Sequence, residues 1–326
     1  MKRAAGAPGR LDEARAVELF QRAFAAPGAR RVLLGIGDDA ALLAAPRGTL
    51  VATVDASVEG THFRRSLLSL EDVGFRAFQA AASDLAAMGA RPLAALSALT
   101  LPRRFTEREL ERLARGQAEA ARETRCPIVG GNVARGELLT VTTTVLGAVE
   151  RPLTRRGARP GDDCWLVGEV GLAAAGFALL TRRSKRPPAA ALGTCVAAWR
   201  RPRALIARGR GLVGVAHAAV DVSDGLAGDA ARLATASHCR LVLEEPALRR
   251  VLSPALSAAG RALGRDPLDL ALHGGEDYAL VAAGEAAGKP RWARRIGRFE
   301  RGLGGYLEHA DGHRAELGAG FDHFKR

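Results

Sequence analysis

The sequence predicts an α/β or α+β protein of two domains, each built around a sheet. The 326 residues exceed one ordinary domain of roughly 150. Helical and strand periodicities intermix along the chain without a strict βαβ rhythm. Near the middle, the Pro-, Gly- and Arg-rich stretch RPLTRRGARPGDD interrupts both patterns and divides 1–150 from 151–326.

Taken in order, Val17, Phe20 and Phe24 recur at helical spacing, which predicts a helix from about Asp12 to Ala25. RRVLLGIGDDAALL reads as a strand breaking into a Gly-Asp turn, and TLVATVDASVEG as a strand ending in acid. Ser69 and Asp72 fit a capping box ahead of the helix VGFRAFQAAASDLAAMG, which Gly89 and Pro92 end. ARPLAALSALTLP is a strand; Thr106 and Glu109 cap a helix reaching about Thr124; CPIVGG and the β-branched LLTVTTTVLGAVE are strands. In the second half CWLVGEVG is a strand, GLAAAGFALL a helix and RRSKRPPAA an exposed loop. AAVDVSDG is a strand and turn opening the helix LAGDAARLATAS, and LHGGEDYALVAAG is a turn followed by a strand.

Composition excludes several classes of function. No run of about 18 apolar residues occurs, and the N-terminus MKRAAGAPGR lacks the apolar core of a secretion signal, so a cytoplasmic protein without a membrane partner is expected. The net charge is +13, but all except four of the 48 basic residues are Arg, scattered rather than clustered. Aromatics make up 5% of the chain, too few for stacking platforms on single strands, so no nucleic-acid partner is expected. The cysteines at 126, 164, 195 and 239 form no C-x-x-C and read as buried thiols. An Asp-Gly turn separates His309 from His313, which argues against a helical metal pair.

Against this basic background, acids gather at strand ends and Gly turns: Asp38 and Asp39, Asp55, Asp84, Asp221 and Asp224, Glu276 and Asp277. Helix N-capping is the ordinary alternative for Asp39, Asp84 or Asp224 taken singly. As a set, carboxylates with few His or Cys suit a hard cation, Mg²⁺ or Mn²⁺, of the kind that bridges phosphate oxygens. A P-loop is absent. Gly35-Ile-Gly37-Asp-Asp-Ala40, with Asp55 18 residues beyond Gly37, superficially fits a dinucleotide fingerprint, but two acids there would repel a pyrophosphate. GRGLVG at Gly209 to Gly214 follows no strand.

GIGDDAALL, VDASVEGTHF, SDLAAMGARP, VGGNVARG, LTRRGARPGD, DVSDGL, HGGEDY and the terminal GFDHF stand in the order found in thiamine-monophosphate kinases, which the chain resembles from about Leu34 to Phe324. SDLAAMGA and GGED are shared more loosely with aminoimidazole ribonucleotide synthetase and selenophosphate synthetase. The resemblance implies transfer of the γ-phosphoryl group of ATP to thiamine monophosphate with several Mg²⁺ ions. It also implies a homodimer formed through the sheet of the N-terminal, ATP- and Mg-binding domain, with a C-terminal α/β domain beside it. Carried over by motif, metal ligands fall on Asp39, Thr53, Asp55, Asp84, Asn132, Asp221 and Asp224. Nucleotide contacts fall on Gly131, Asn132, Arg155 and Ser223, and substrate contacts on His62, Glu276 and Phe321. No general base is implied, because the acceptor is already an anionic phosphate.

Two positions depart from the pattern. VGGD reads VGGN here, so Asn132 supplies an uncharged amide where a carboxylate is expected, which should weaken one ion site. Val54 stands where many members carry a hydroxyl. Two alternatives stay open on the residues: a related ATP-dependent synthetase, and a non-catalytic homologue that binds nucleotide or thiamine.

Overall fold

The computed structural model describes residues 11–25, 29, 31–181 and 189–318. The chain divides into two compact units, Met1–Ala81 with Pro92–Gly147 and Ala82–Arg91 with Ala148–Arg326.

The first unit draws on α1 (Glu13–Ala23), β1 (Val32–Leu34), β2 (Leu42–Leu43), β3 (Thr49–Val58), α2 (Leu70–Ala87), β4 (Arg91–Pro102), α3 (Glu107–Thr124), β5 (Ile128–Gly136) and β6 (Thr140–Val149). Helix α1 starts where Asp12 accepts the Arg15 N–H at 2.8 Å. Helix α3 starts with a full capping box, Thr106 and Glu109 each accepting the other's backbone N–H. At Ser69 the side chain accepts from Asp72 N at 3.1 Å. Helices α2 and α3 meet at backbone contact: a Cβ on Gly116 would lie 1.9 Å from the Glu71 carbonyl, and one on Gly74 2.2 Å from that of Leu113. Arg112 and Arg115 then reach Glu71 from the same side.

The four-stranded sheet of this unit runs β3-β6-β4-β5, with β4 and β5 parallel. Strands β1 and β2 form a separate antiparallel pair. Along β3 exposure alternates, Val51, Thr53, Asp55 and Ser57 being partly covered while Ala52, Val54 and Ala56 are exposed.

The second unit holds β7 (Asp163–Val167), α4 (Leu172–Thr181), α5 (Ala189–Arg200), α6 (Ile206–Leu212), β8 (Ala218–Asp221), α7 (Leu226–Ala236), β9 (Arg240–Glu244), α8 (Glu245–Val251), α9 (Pro254–Leu263), α10 (Pro267–His273), β10 (Leu280–Gly284), β11 (Arg294–Glu300), β12 (Gly305–Glu308) and β13 (Arg314–Glu316). Its sheet runs β13-β12-β9-β11-β7-β10-β8, antiparallel except for the parallel pair β12-β9.

Alternation along these strands produces two cores. Cys164, Leu166, Ala218, Val220, Val281 and Ala283 face the layer built by α4, α7, α9 and α10. Trp165, Val167, Ala219, Leu280 and Ala282 face Ala86, Ala87 and Leu212. The last two turns of α2, from Ala82 onward, thus lie on the second face of this sheet. At its far end Arg298 serves three carboxylates, Glu244, Glu300 and Glu308, while Arg295 joins Glu244 to Asp163 and Arg314 joins Glu300 to Glu308.

Helices α5, α6 and α8 to α10 and strands β9 and β11 to β13 have no counterpart in the sequence reading. Two of these helices carry standard punctuation: Ser253-Pro254 opens α9 and Gly264, at φ 64°, closes it, while Asp266-Pro267 opens α10. Of the expected loop RRSKRPPAA, residues 182–188 lie outside the described residues, and Ala189 and Ala190 belong to α5 rather than to a loop. All four cysteines are buried free thiols. Among the described residues no helix is long and apolar enough to cross a membrane.

Helices α4 and α5 touch at Gly176, where a Cβ would sit 2.1 Å from the Cys195 carbonyl oxygen. Gly176→Ala should therefore force the pair apart at a cost of about 2 kcal/mol, read as a drop in the thermal unfolding midpoint. An unchanged midpoint would show that this contact yields freely.

Candidate functional site

The DVSDG turn after β8 is the best-organised acidic segment of the second unit. Alternation puts Asp221 on the Ala219 face, and there Ser83 Oγ donates to Asp221 Oδ2 at 2.8 Å. Asp221 is only 5% exposed. Its burial, and next the nearby charge of Asp84, push its carboxyl up to about 7, while Arg155 pulls weakly the other way. The structure thus brings both Asp84 and Arg155 within electrostatic reach of Asp221. Asp84 lies inside α2 rather than at its start, so helix capping does not account for it.

Beyond Asp221, the N–H groups of Ser223 and Asp224 both donate to Asp229 Oδ2 at 2.9 Å. Asp229, a fully buried acid in the first turn of α7, therefore shapes the turn from the helix side. Gly225, not Asp224, is the N-cap, so capping does not explain Asp224 either. Asp224 instead receives Arg232 at 2.7 Å, and Arg232 also meets Asp229.

The HGGEDY segment docks on this turn. Glu276 N donates to the Ser223 carbonyl at 2.7 Å and Tyr278 N to that of Val222 at 2.9 Å. Glu276 and Tyr278 both hold positive φ, 69° and 51°, conformations that side chains adopt at a cost and that gather at functional sites. Between them Asp277 accepts the N–H groups of Gly171 at 2.5 Å and Ala173 at 2.9 Å, capping α4 from far along the chain. Enclosure pushes Asp277 up to about 7. Glu276 Oε2 accepts from Trp199 Nε1 at 3.2 Å.

In the first unit, Thr53 and Asp55 share one face of β3. Val54 is 63% exposed on the other face, so its missing hydroxyl takes nothing from the face of Thr53 and Asp55. His62 Nδ1 accepts the Val58 N–H at 3.1 Å, which fixes the proton of the neutral ring on Nε2. Asp39 is exposed in the turn between β1 and β2, with no helix after it; a three-residue β1 followed by β2 also excludes the dinucleotide fingerprint. Gly131 is required by packing, since a Cβ would lie 1.8 Å from the Ser97 carbonyl of β4. Asn132 is exposed beside it on β5, three strands from β3, roughly 14 Å at ordinary strand spacing. Within this sheet the structure does not bring Asn132 to Thr53 and Asp55.

Among the described residues no group of three or more His, Cys, Asp or Glu is close enough to hold a metal ion. Phe321 lies outside the described residues. Sequence reasoning passed over Ser83, Asp229, Arg232 and Trp199. Of these only Asp229, an acid in the first turn of a helix, carried a local signal.

Comparison with known proteins follows the same division of the chain. The family "AIR synthase related protein, N-terminal domain" matches residues 37–149, and its C-terminal counterpart matches 159–289. The thiamine-monophosphate kinase of Mycobacterium tuberculosis (strain CDC 1551 / Oshkosh) is 38% identical over 82% of this chain and 79% of its own length. That of Aquifex aeolicus (strain VF5) is 34% identical over 89% and 92%. A solved structure of AaThiL complexed with AMPPCP and TMP superposes with a TM-score of 0.79 at 31% identity, covering 97% of this chain and 99% of the other. On sequence and fold together, the chain belongs to the thiamine-monophosphate kinase family, in the two-domain architecture of AIR synthase-related proteins.

Proposed function

We propose that this protein is a kinase that moves the γ-phosphoryl group of ATP onto the phosphate of thiamine monophosphate, giving thiamine diphosphate and ADP. One structural observation carries most of this reading. Asp221 is held buried with the charge of Asp84 close enough that burial, and next that charge, oppose its ionisation. A cation would relieve that repulsion, so the pair fits a divalent metal. We assign Asp84, Asp221 and Asp224 to magnesium, and from the first unit Asp39, Thr53, Asp55 and Asn132. When bound, magnesium would neutralise charge between nucleotide and acceptor phosphates.

The chain's own residues supply the rest. An acceptor phosphate oxygen attacks the γ-phosphorus as the bond to the ADP oxygen breaks, so no residue has to remove a proton. Alignment and charge balance set the rate. Ser83 orients Asp221, and Asp229 shapes the backbone of Ser223 and Asp224. Arg155, Ser223, Gly131 and Asn132 are assigned to the nucleotide, and His62, Glu276 and Phe321 to the substrate. The first domain, 1–150, is read as the ATP- and Mg-binding and dimerising part, and 151–326 as the C-terminal α/β part. The exposed apolar side chains of Leu50 and Val54 on β3, with Leu138 nearby in sequence to β6, offer a face for a second copy of the chain. We place the enzyme in the cytoplasm, where ATP is available.

The direct test is ATP turnover with and without thiamine monophosphate over a magnesium titration, thiamine diphosphate being quantified. Diphosphate formed in step with ADP is expected, and Asn132→Asp should reach half-maximal rate at lower magnesium. Absence of diphosphate at every magnesium concentration would remove the assignment, and an unshifted Asn132→Asp titration would remove Asn132 from the metal.

Asp221→Asn should abolish most turnover yet raise the unfolding midpoint of the metal-free protein. Because the folded-state pKa is raised above its ordinary value, ionising Asp221 costs stability increasingly as pH climbs from about 4 to about 7. The gain over wild type should be largest above pH 7 and shrink toward pH 4. A lower midpoint at pH 8 would contradict this.

Sedimentation at micromolar protein should give twice the 34.2 kDa chain mass. Val54→Glu should shift it toward the monomer, and a monomeric wild type would refute the apolar-face assignment.

A further inference from the structure

The assignment of Glu276 to the substrate leaves the side chains around it without a role. Trp199, on the last turn of α5, is 2% exposed and donates its indole N–H to Glu276 Oε2 at 3.2 Å. Against the same indole lies Phe177 of α4, with ring centroids 5.3 Å apart and planes tilted by 43°. Unlike Trp199, Phe177 is 38% exposed.

These three side chains come from separate elements that are locked together. Gly176, the neighbour of Phe177, lets α4 touch the backbone of α5 at Cys195. Asp277, the neighbour of Glu276, caps α4 through Gly171 and Ala173. A Cβ on Gly274 would fall 2.3 Å from the Leu270 carbonyl and 2.5 Å from Ala174 Cβ, so the Gly-Gly turn presses against α4 as well. Indole, exposed ring and carboxylate are consequently fixed relative to one another before any ligand arrives.

A carboxylate with one oxygen held by an indole, and an open aromatic ring on that indole, suits one ligand chemistry: a flat aromatic body carrying positive charge. The ring's negative face attracts the cation, and the carboxylate compensates its charge. A neutral aromatic ring would gain the stacking alone.

We propose that Phe177 and Trp199 complete a subsite with Glu276 for the cationic heteroaromatic part of the substrate. Trp199 is the positioning residue that holds the Glu276 carboxylate, and Phe177 is the contact surface. This rests on the assignment of Glu276 to the thiamine end of thiamine monophosphate.

The test compares wild type with Trp199→Phe, which keeps a ring but loses the N–H donor, and with Phe177→Ala and Phe177→Leu. KM for each substrate, kcat and the unfolding midpoint are measured, and binding of thiamine alone is followed by calorimetry. Trp199→Phe should raise KM for thiamine monophosphate about tenfold, as expected for losing a hydrogen bond to a charged group. Phe177→Ala should raise it about threefold to fivefold, with Phe177→Leu close behind. KM for ATP and the midpoint should stay at wild-type values, and thiamine should bind more weakly in step with the KM changes. An unchanged KM for thiamine monophosphate in Trp199→Phe and Phe177→Ala would overturn the subsite. So would a parallel shift of both KM values with the midpoint, which means packing alone. Should wild type form no thiamine diphosphate, the assignment of the reaction fails instead, and calorimetry with thiamine still decides the subsite.

Discussion

A buried carboxylate at the end of an edge strand is the constraint around which the second unit is arranged. Asp221 closes β8 on the face that already carries Ala219, and the only way to keep it there is to give it hydrogen bonds and compensation. Ser83 supplies a hydroxyl from α2. Asp84 on the same helix adds repulsion rather than relief. A fold selected for stability alone would place an amide or an apolar residue at Asp221, so this buried carboxylate is stability given up.

From that point the organisation spreads outward through hydrogen bonds made by backbone groups, to buried carboxylates and to one another. The turn after Asp221 is held by Asp229 from α7, and the HGGEDY segment is pinned to it by two main-chain hydrogen bonds. Asp277 then ties the same segment to α4. Asp221, Ser223, Asp224 and Glu276 therefore sit on one connected framework, and Glu276 is oriented through a conformation that a free peptide would avoid.

Much of this is legible in the residues. The capping box at Thr106, the β-branched run of β6 and the acid-bearing turn DVSDG all rest on short-range physics, and the structure has each where those signals put it. What cannot be read is anything decided by long-range approach. Ser83 is an ordinary serine until β8 arrives 138 residues later. Asp229 reads as a favourable acid in a first helical turn, with nothing to show that it reaches back to Ser223. Val54 shows the reverse error: a missing oxygen looks costly until alternation along β3 turns that side chain to the other face. The helices α8 to α10 escape the reading although Ser253-Pro254, Gly264 and Asp266-Pro267 mark ends among them, because their apolar positions are mostly Ala and Leu with little contrast.

The far edge of the large sheet gives the chain's unusual basic composition a physical meaning. Arg298 engages Glu244, Glu300 and Glu308 at once, and Arg295 and Arg314 extend the same lattice to Asp163 and back to Glu308. Only a planar fork with several donors can be shared in this way; an ammonium group, as a compact point charge, would satisfy one or two of these acids and strand the others. At this edge arginine acts as a cross-linking node rather than as surface charge. Lysine at any of the three nodes is thus a topological change to the lattice, although it leaves the net charge of the protein untouched.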